Sequence, residues 1–104
     1  REALDAASQL RNRTRLTELL ARGRAFYEVP FSWRQPAEDG SDAIVRGVID
    51  CVVAAADGGL TVVEIKTGAP RPEHEAQLAV YLEALGASAP GATIRGELVY
   101  AGPG

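Results

Sequence analysis

The sequence predicts an α/β domain of the α+β type, a mixed sheet flanked by helices in the order helix, three strands, helix, strand (αβββαβ). Three observations predict it. Helix-forming residues open the chain, β-branched and aromatic segments separated by turn residues follow, and a second amphipathic segment precedes the last β-rich one. Because single domains cluster at about 100–150 residues, we expect residues 1–104 to form one domain.

The first predicted helix covers residues 3–22 and is built from Ala, Leu, Arg and Glu, which favour helix. Gly23 marks its end. The first predicted strand runs from Ala25 to Trp33. Pro30 within it cannot donate a ladder hydrogen bond, so we expect this strand to lie at an edge of the sheet or to bend there.

Two further strands, Ile44–Ala55 and Leu60–Lys66, flank the turn sequence Ala-Asp-Gly-Gly and are predicted to form a hairpin. The second helix is predicted from Glu73 to Leu85, with Gly86 as its stop. A last strand is predicted from Thr93 to Ala101.

Composition narrows the possible functions. The net charge is −3, with 11 Lys+Arg against 14 Asp+Glu, which argues against binding nucleic acid through bulk positive charge. No apolar stretch is long enough to span a membrane, no signal peptide is evident, and Cys51 is the single cysteine. We therefore expect a cytoplasmic protein without membrane partners.

Two acidic residues interrupt the most apolar part of the chain. Folding the predicted hairpin brings Asp50 opposite or nearly opposite Glu64, and like charges across a strand pair are unfavourable. One divalent cation between them would remove that penalty, and carboxylate oxygens suit Mg²⁺ or Mn²⁺. A salt bridge between Lys66 and either acid is the alternative explanation. Lys66 is the only lysine among 11 cationic residues, which favours a role that arginine does not fill.

Other candidate residues surround this pair. Gln77 and Tyr81 lie four residues apart on one helical face and are expected to cover the site. Arg46 shares the parity of Asp50, so it is expected to contact a phosphate backbone or to neutralise that acid. Glu28 is either a third acid near the metal or an edge-strand charge. His74 lies in the first turn of its helix, where it is expected to be solvated, with an approach to the phosphate as the alternative.

Taken together, the patterns Gly-x-x-Asp at 47–50, Glu-x-Lys-Thr-Gly at 64–68 and Gln-x-x-x-Tyr at 77–81 resemble the RecB-like branch of the PD-(D/E)XK nuclease superfamily. The similarity is greatest to the C-terminal nuclease domain of AddA/RecB-type (UvrD-like) helicase–nucleases. The resemblance implies a restriction-endonuclease-like core. It also implies metal binding by Asp50, Glu64 and the backbone carbonyl of Ile65, with Lys66 orienting a water molecule.

The expected function is thus that of a Mg²⁺- or Mn²⁺-dependent deoxyribonuclease domain, exonuclease or endonuclease, in a helicase–nuclease that repairs double-strand breaks by recombination. Its expected partners are DNA, the helicase portion of the same polypeptide and a partner subunit. Members of this branch usually carry a metal-binding histidine on the upstream helix, whereas residues 3–22 contain none. The alternative is therefore a catalytically idle module that binds DNA or a partner.

Overall fold

A computed structural model describes residue 11 and residues 13–100, which form one four-stranded sheet between two helices. Helix α1 comprises the described residues 11 and 13–20, and a turn at 21–22 leads into the sheet. These residues lie within the predicted helix 3–22, whose first part lies outside the described residues. The helix ends two residues before the predicted boundary.

Strands β1 (Gly23–Pro36) and β2 (Asp42–Ala55) form a long antiparallel hairpin. Both extend further than predicted because the loop between them is only five residues long. Asp39 closes this loop by accepting a hydrogen bond from the Ser41 backbone N–H at 2.9 Å. The sheet order is β1-β2-β3-β4, so the strand containing Pro30 lies at an edge, as predicted.

Strand β3 (Leu60–Lys66) has the predicted bounds and pairs antiparallel with β2. In the turn between them, Gly58 adopts a φ of +89°, and the Asp57 carboxylate accepts a hydrogen bond from the Gly59 N–H at 2.8 Å. Strand β4 (Ile94–Tyr100) pairs parallel with β3. The sheet is therefore mixed.

Helix α2 (Pro72–Ser88) connects β3 to β4 and begins at the proline that suits a first helical turn. The predicted stop at Gly86 is wrong, since the helix continues for two more residues. Ala89 precedes Pro90, and a residue before proline is disfavoured in helical conformation. Its backbone N–H donates to the Leu85 carbonyl at 2.9 Å, which completes the last turn.

Each face of the sheet has its own buried hydrophobic cluster. The α1 cluster consists of Leu19, Cys51, Val53, Val63 and Val99. The α2 cluster consists of Ile49, Val52, Val62 and Tyr81. The four-stranded mixed sheet flanked by two helices confirms the predicted α+β fold and is consistent with a restriction-endonuclease-like architecture. Neither described helix is long and apolar enough to cross a membrane.

Candidate active site

The candidate site lies where β2 and β3 stop pairing. Their ladder runs from Ala54 opposite Leu60 to Cys51 opposite Val63 and ends there. At the next position the two acids replace the ladder with hydrogen bonds from side chain to backbone. The Asp50 N–H donates to Glu64 Oε1 at 3.5 Å, and the Ile65 N–H donates to Asp50 Oδ2 at 3.4 Å. These long, weak bonds place each carboxylate beside the backbone of the other strand.

The two acids differ in their exposure to solvent. Asp50 is exposed, whereas Glu64 is 2% exposed and is the one buried charged residue among those described. Burial raises the pKa of the Glu64 carboxyl above its ordinary value, and the Asp50 charge raises it further. Hydrogen bonds and the positive charge of Lys66 offset only part of this increase. The pair is therefore electrostatically strained in the absence of a cation.

Lys66 lies beside this pair at the end of β3. Its Nζ is 3.6 Å from Glu64 Oε2 and donates a hydrogen bond to Gln77 Oε1 on α2 at 2.5 Å. Lys66 therefore contacts both the buried acid and the helix that packs on the sheet. The salt bridge between Lys66 and Glu64, which was the alternative explanation for these charges, is therefore present. Lys66 also contacts Gln77, one of the residues expected to cover the site.

Tyr81 lies one helical turn beyond Gln77 and is 8% exposed. Its ring packs edge to face against Phe31, with the ring centroids 5.3 Å apart. Burial raises the pKa of the Tyr81 hydroxyl, and the charges of Glu64 and Asp50 raise it further, so this residue lies within the electrostatic field of both acids. The structure thus brings Gln77 and Tyr81 to the site, as the helical spacing predicts.

Two further candidate residues, Arg46 and Glu28, lie on β2 and β1. Arg46 is exposed, and within the described part of the chain it forms no ion pair with Asp50. Glu28 lies opposite Asp50 in the β1–β2 hairpin, between the pairs Tyr27–Cys51 and Val29–Ile49. However, the described residues contain no group of three or more His, Cys, Asp or Glu side chains placed to hold a metal ion. The structure therefore does not join Glu28 to the two acids as a third ligand.

One nearby pair was not expected from the sequence. His74 is half-buried, and its Nδ1 is 3.0 Å from the Tyr100 hydroxyl, so the expectation of a solvated histidine is wrong. Tyr100 is the register partner of Lys66 in the parallel β3–β4 pair. The strand pattern alone did not reveal this proximity, since it depends on the parallel pairing that α2 makes possible.

A divalent cation fits the residues at the point where β2 and β3 separate, which we call the junction. Two carboxylates from neighbouring strands supply hard oxygen ligands, and a cation would relieve the repulsion that raises the Glu64 pKa. The N–H and C=O of one strand residue point to the same side of the strand. Since the Ile65 N–H points to Asp50, its carbonyl oxygen also faces β2. Few protein ligands suit Mg²⁺, which usually retains several water molecules.

Comparison with known proteins agrees with this geometry. The sequence profile of the PD-(D/E)XK nuclease superfamily matches residues 1–104. The chain therefore belongs to the PD-(D/E)XK nuclease superfamily, whose members generally use divalent metal ions such as Mg²⁺.

One solved structure, described as "Crystal structure of SSO0001", is 27% identical to this chain and superposes with a TM-score of 0.62. The similarity covers 90% of this chain and 45% of that one, so this chain spans less than half of that relative's length. Comparison with curated proteins finds no significant match.

Proposed function

We propose that this domain is a Mg²⁺- or Mn²⁺-dependent deoxyribonuclease that hydrolyses phosphodiester bonds. The observation that carries the proposal is the junction at which β2 and β3 separate. There the buried Glu64 meets Asp50, and Lys66 stands 3.6 Å from Glu64. Membership of the PD-(D/E)XK nuclease superfamily supports the same activity.

The residues of the junction divide into those that hold the metal and those that act beside it. Asp50, Glu64 and the carbonyl of Ile65 are the proposed ligands. When bound, the cation supplies Lewis-acid polarisation of the phosphate and lowers the pKa of a coordinated water molecule. Hydrolysis adds the water oxygen to phosphorus and breaks the bond from phosphorus to the sugar oxygen.

Lys66 is the proposed catalytic cation. Its ammonium group orients the attacking water and offsets the negative charge that develops on the phosphate in the transition state. The hydrogen bond from Lys66 to Gln77 holds the flexible lysine side chain in place before DNA binds. Tyr81, a member of the α2 cluster, supports the site from the same helix. Arg46 is exposed on the extended hairpin and is a proposed contact for the DNA backbone.

This proposal predicts that Lys66→Ala removes DNA cleavage while leaving the fold intact. We expect a loss of at least about 100-fold in the cleavage rate with Mg²⁺ or Mn²⁺, because transition-state stabilisers contribute on this scale. Cleavage of single- and double-stranded DNA by the full chain would be measured beside circular dichroism. Arg95→Ala is the matched control, since it removes an exposed cation from β4. Equal rates in both variants would contradict the proposed role.

A module that binds DNA or a partner without cutting it is the second candidate. Two observations favour it. Asp50 and Glu64 lack a third acidic or histidine ligand among the described residues, and the sequence has no histidine in residues 3–22. Tight DNA binding in EDTA, with no cleavage in Mg²⁺ or Mn²⁺, would establish this candidate and exclude the nuclease.

We further propose that the domain belongs to the RecB-like branch and works within a cytoplasmic helicase–nuclease of double-strand-break repair, joined to a helicase and to a partner subunit. The three sequence motifs at 47–50, 64–68 and 77–81 support this assignment. The reading frame that encodes the chain should then also encode a UvrD-like helicase, and DNA degradation by that polypeptide should require ATP hydrolysis. Degradation independent of ATP would remove the helicase role and leave the nuclease.

A further inference from the structure

Glu28 has an unusual backbone conformation for its place in a strand. Its φ is +51°, and every other described residue with positive φ is a glycine. Side chains with a Cβ atom rarely adopt this left-handed region, because the Cβ atom approaches the backbone carbonyl oxygen. Glutamate has no special preference for it. The surrounding structure must therefore stabilise this conformation, and such outliers concentrate at functional sites.

The alternation of side chains in β1 reverses at this residue. Successive side chains of a regular strand point to opposite faces, so all odd-numbered residues should share one face. Ala25 instead packs on the α1 cluster, whereas Val29 and Phe31 pack on the α2 cluster. The chain has therefore rotated between Ala25 and Val29, where Glu28 adopts the left-handed conformation.

Strand β2 reverses at the residue that lies opposite. Cys51 and Val53 belong to the α1 cluster, but Ile49 belongs to the α2 cluster. The pairs Tyr27–Cys51 and Val29–Ile49 flank this point, and the register on both sides of it is the same. The reversal therefore involves both strands together and inserts no extra residue in either of them.

Asp50 occupies the point of reversal in β2. Its side chain accepts the Ile65 N–H at 3.4 Å, and its own N–H points to Glu64. The rotated backbone thus turns the carboxylate into the gap between β2 and β3, where the second acid lies. A regular strand would place it on one face of the sheet.

We propose that Glu28 is a positioning residue that sets the orientation of Asp50 through its left-handed backbone and not through its carboxylate. The inference rests on the proposed metal site and adds a residue to it that the sequence motifs do not contain. It requires that the effect of each substitution at position 28 on Mn²⁺ affinity depend on how readily the new residue adopts a positive φ. The charge of the new residue should have no effect.

Three variants of the full chain separate conformation from charge. Glu28→Gly removes the carboxylate and relieves the strain, Glu28→Gln removes only the charge, and Glu28→Val opposes the left-handed conformation. Ser32→Val, at an exposed position of the same strand, is the control for a general effect on β1. The measurements are Mn²⁺ affinity by electron paramagnetic resonance, the melting temperature of the metal-free chain, and the NMR shift of the Ile65 amide.

Glu28→Gly should raise the melting temperature by about 4 °C and keep both Mn²⁺ affinity and the Ile65 amide shift. Glu28→Gln and Ser32→Val should match the parent chain. Glu28→Val should lower the melting temperature, move the Ile65 amide and weaken Mn²⁺ binding about 10- to 100-fold, as loss of a residue that orients a metal ligand does.

Three outcomes would overturn the inference. A lower melting temperature in Glu28→Gly would show that the strain at this position is smaller than the entropy that glycine loses on folding, and this result does not depend on whether Glu28→Val folds. Weak Mn²⁺ binding in both Glu28→Gly and Glu28→Gln would make the carboxylate a ligand. An unmoved Ile65 amide in folded Glu28→Val would show that Asp50 is oriented by other groups. Failure of the parent chain to bind Mn²⁺ would instead contradict the proposed function, and the melting temperatures and amide shifts would still decide the role of Glu28.

Discussion

A carboxylate buried beside a second carboxylate lowers the stability of a metal-free domain at neutral pH. Glu64 shows this in the direction of its pKa, which burial and Asp50 raise above the ordinary value. The folded state therefore holds the proton more tightly than the unfolded state does. Stability should fall as pH rises through the interval between the ordinary and the raised pKa of this group.

It follows that Glu64→Gln should stabilise the metal-free chain at pH 7, by about 1 kcal/mol, because a neutral amide removes the buried charge at nearly constant size. The gain should disappear at a pH below the ordinary pKa of glutamate, where the parent side chain is protonated in both states. Thermal melts across this pH range in EDTA would measure it.

The variant Asp50→Asn provides the comparison for that experiment. Asp50 is exposed, and an asparagine oxygen can still accept the Ile65 N–H, so we expect little change in stability. A large loss of stability in both variants would instead identify the acids and Lys66 as a structural ion-pair network.

Residue patterns predicted much of this site, but not the backbone rotation of β1 and β2 at Glu28 and Asp50. The hairpin signal and the two isolated acids were enough to place Asp50 and Glu64 together. Strict alternation would place Arg46 on the same side of β2 as Asp50, but the reversal at Asp50 means that this alternation does not continue from Asp50 to Arg46. Glutamate at 28 carries no signal of positive φ, so the reversal could not be predicted from the sequence.

At the scale of the elements, Gly86 in α2 and Gly96 in β4 have different structural roles. The sequence suggested that Gly86 ends its helix, but it lies inside α2, where Pro90 sets the boundary. Gly96 in β4 lies directly under the Leu78 side chain of that helix, and a Cβ atom there would approach to 3.0 Å. Turn and stop signals in a sequence do not distinguish these cases, because the difference arises from packing.

Gly86→Ala should therefore stabilise the chain by about 0.5–1 kcal/mol, since alanine favours helix over glycine by this amount. The added methyl group would meet Ile94 at 4.0 Å, an ordinary contact distance. Denaturant unfolding measures the change. Gly96→Ala is the matched control and should destabilise, because the new atom crowds Leu78. Stabilisation by both substitutions would contradict the packing of α2 against β4.

At the scale of the whole molecule, the candidate site lies where the pairing of the two central strands ends. Beyond Cys51 opposite Val63, β2 continues with β1 while β3 continues with β4. Among the described residues, the hydrogen bonds of Asp50 and Glu64 connect β2 to β3 at that point, and Lys66 links β3 to α2. A cation held by both acids would therefore connect β2 and β3 at the point where their ladder has ended.

Binding of such a cation to the folded chain alone predicts a melting temperature that rises with metal concentration. The stabilisation is RT ln(1 + [L]/Kd), or about 1.4 kcal/mol at ten times Kd. Mn²⁺ should act at lower concentration than Mg²⁺, which loses its water molecules reluctantly. Differential scanning fluorimetry of the full chain measures the melting temperature with each ion.

Asp50→Asn should abolish the shift in melting temperature because it removes a charged ligand at constant size, whereas Arg95→Ala should preserve it. A melting temperature that neither ion changes in the parent chain would show that this chain holds no metal by itself. The binding module would then account better for its two acids.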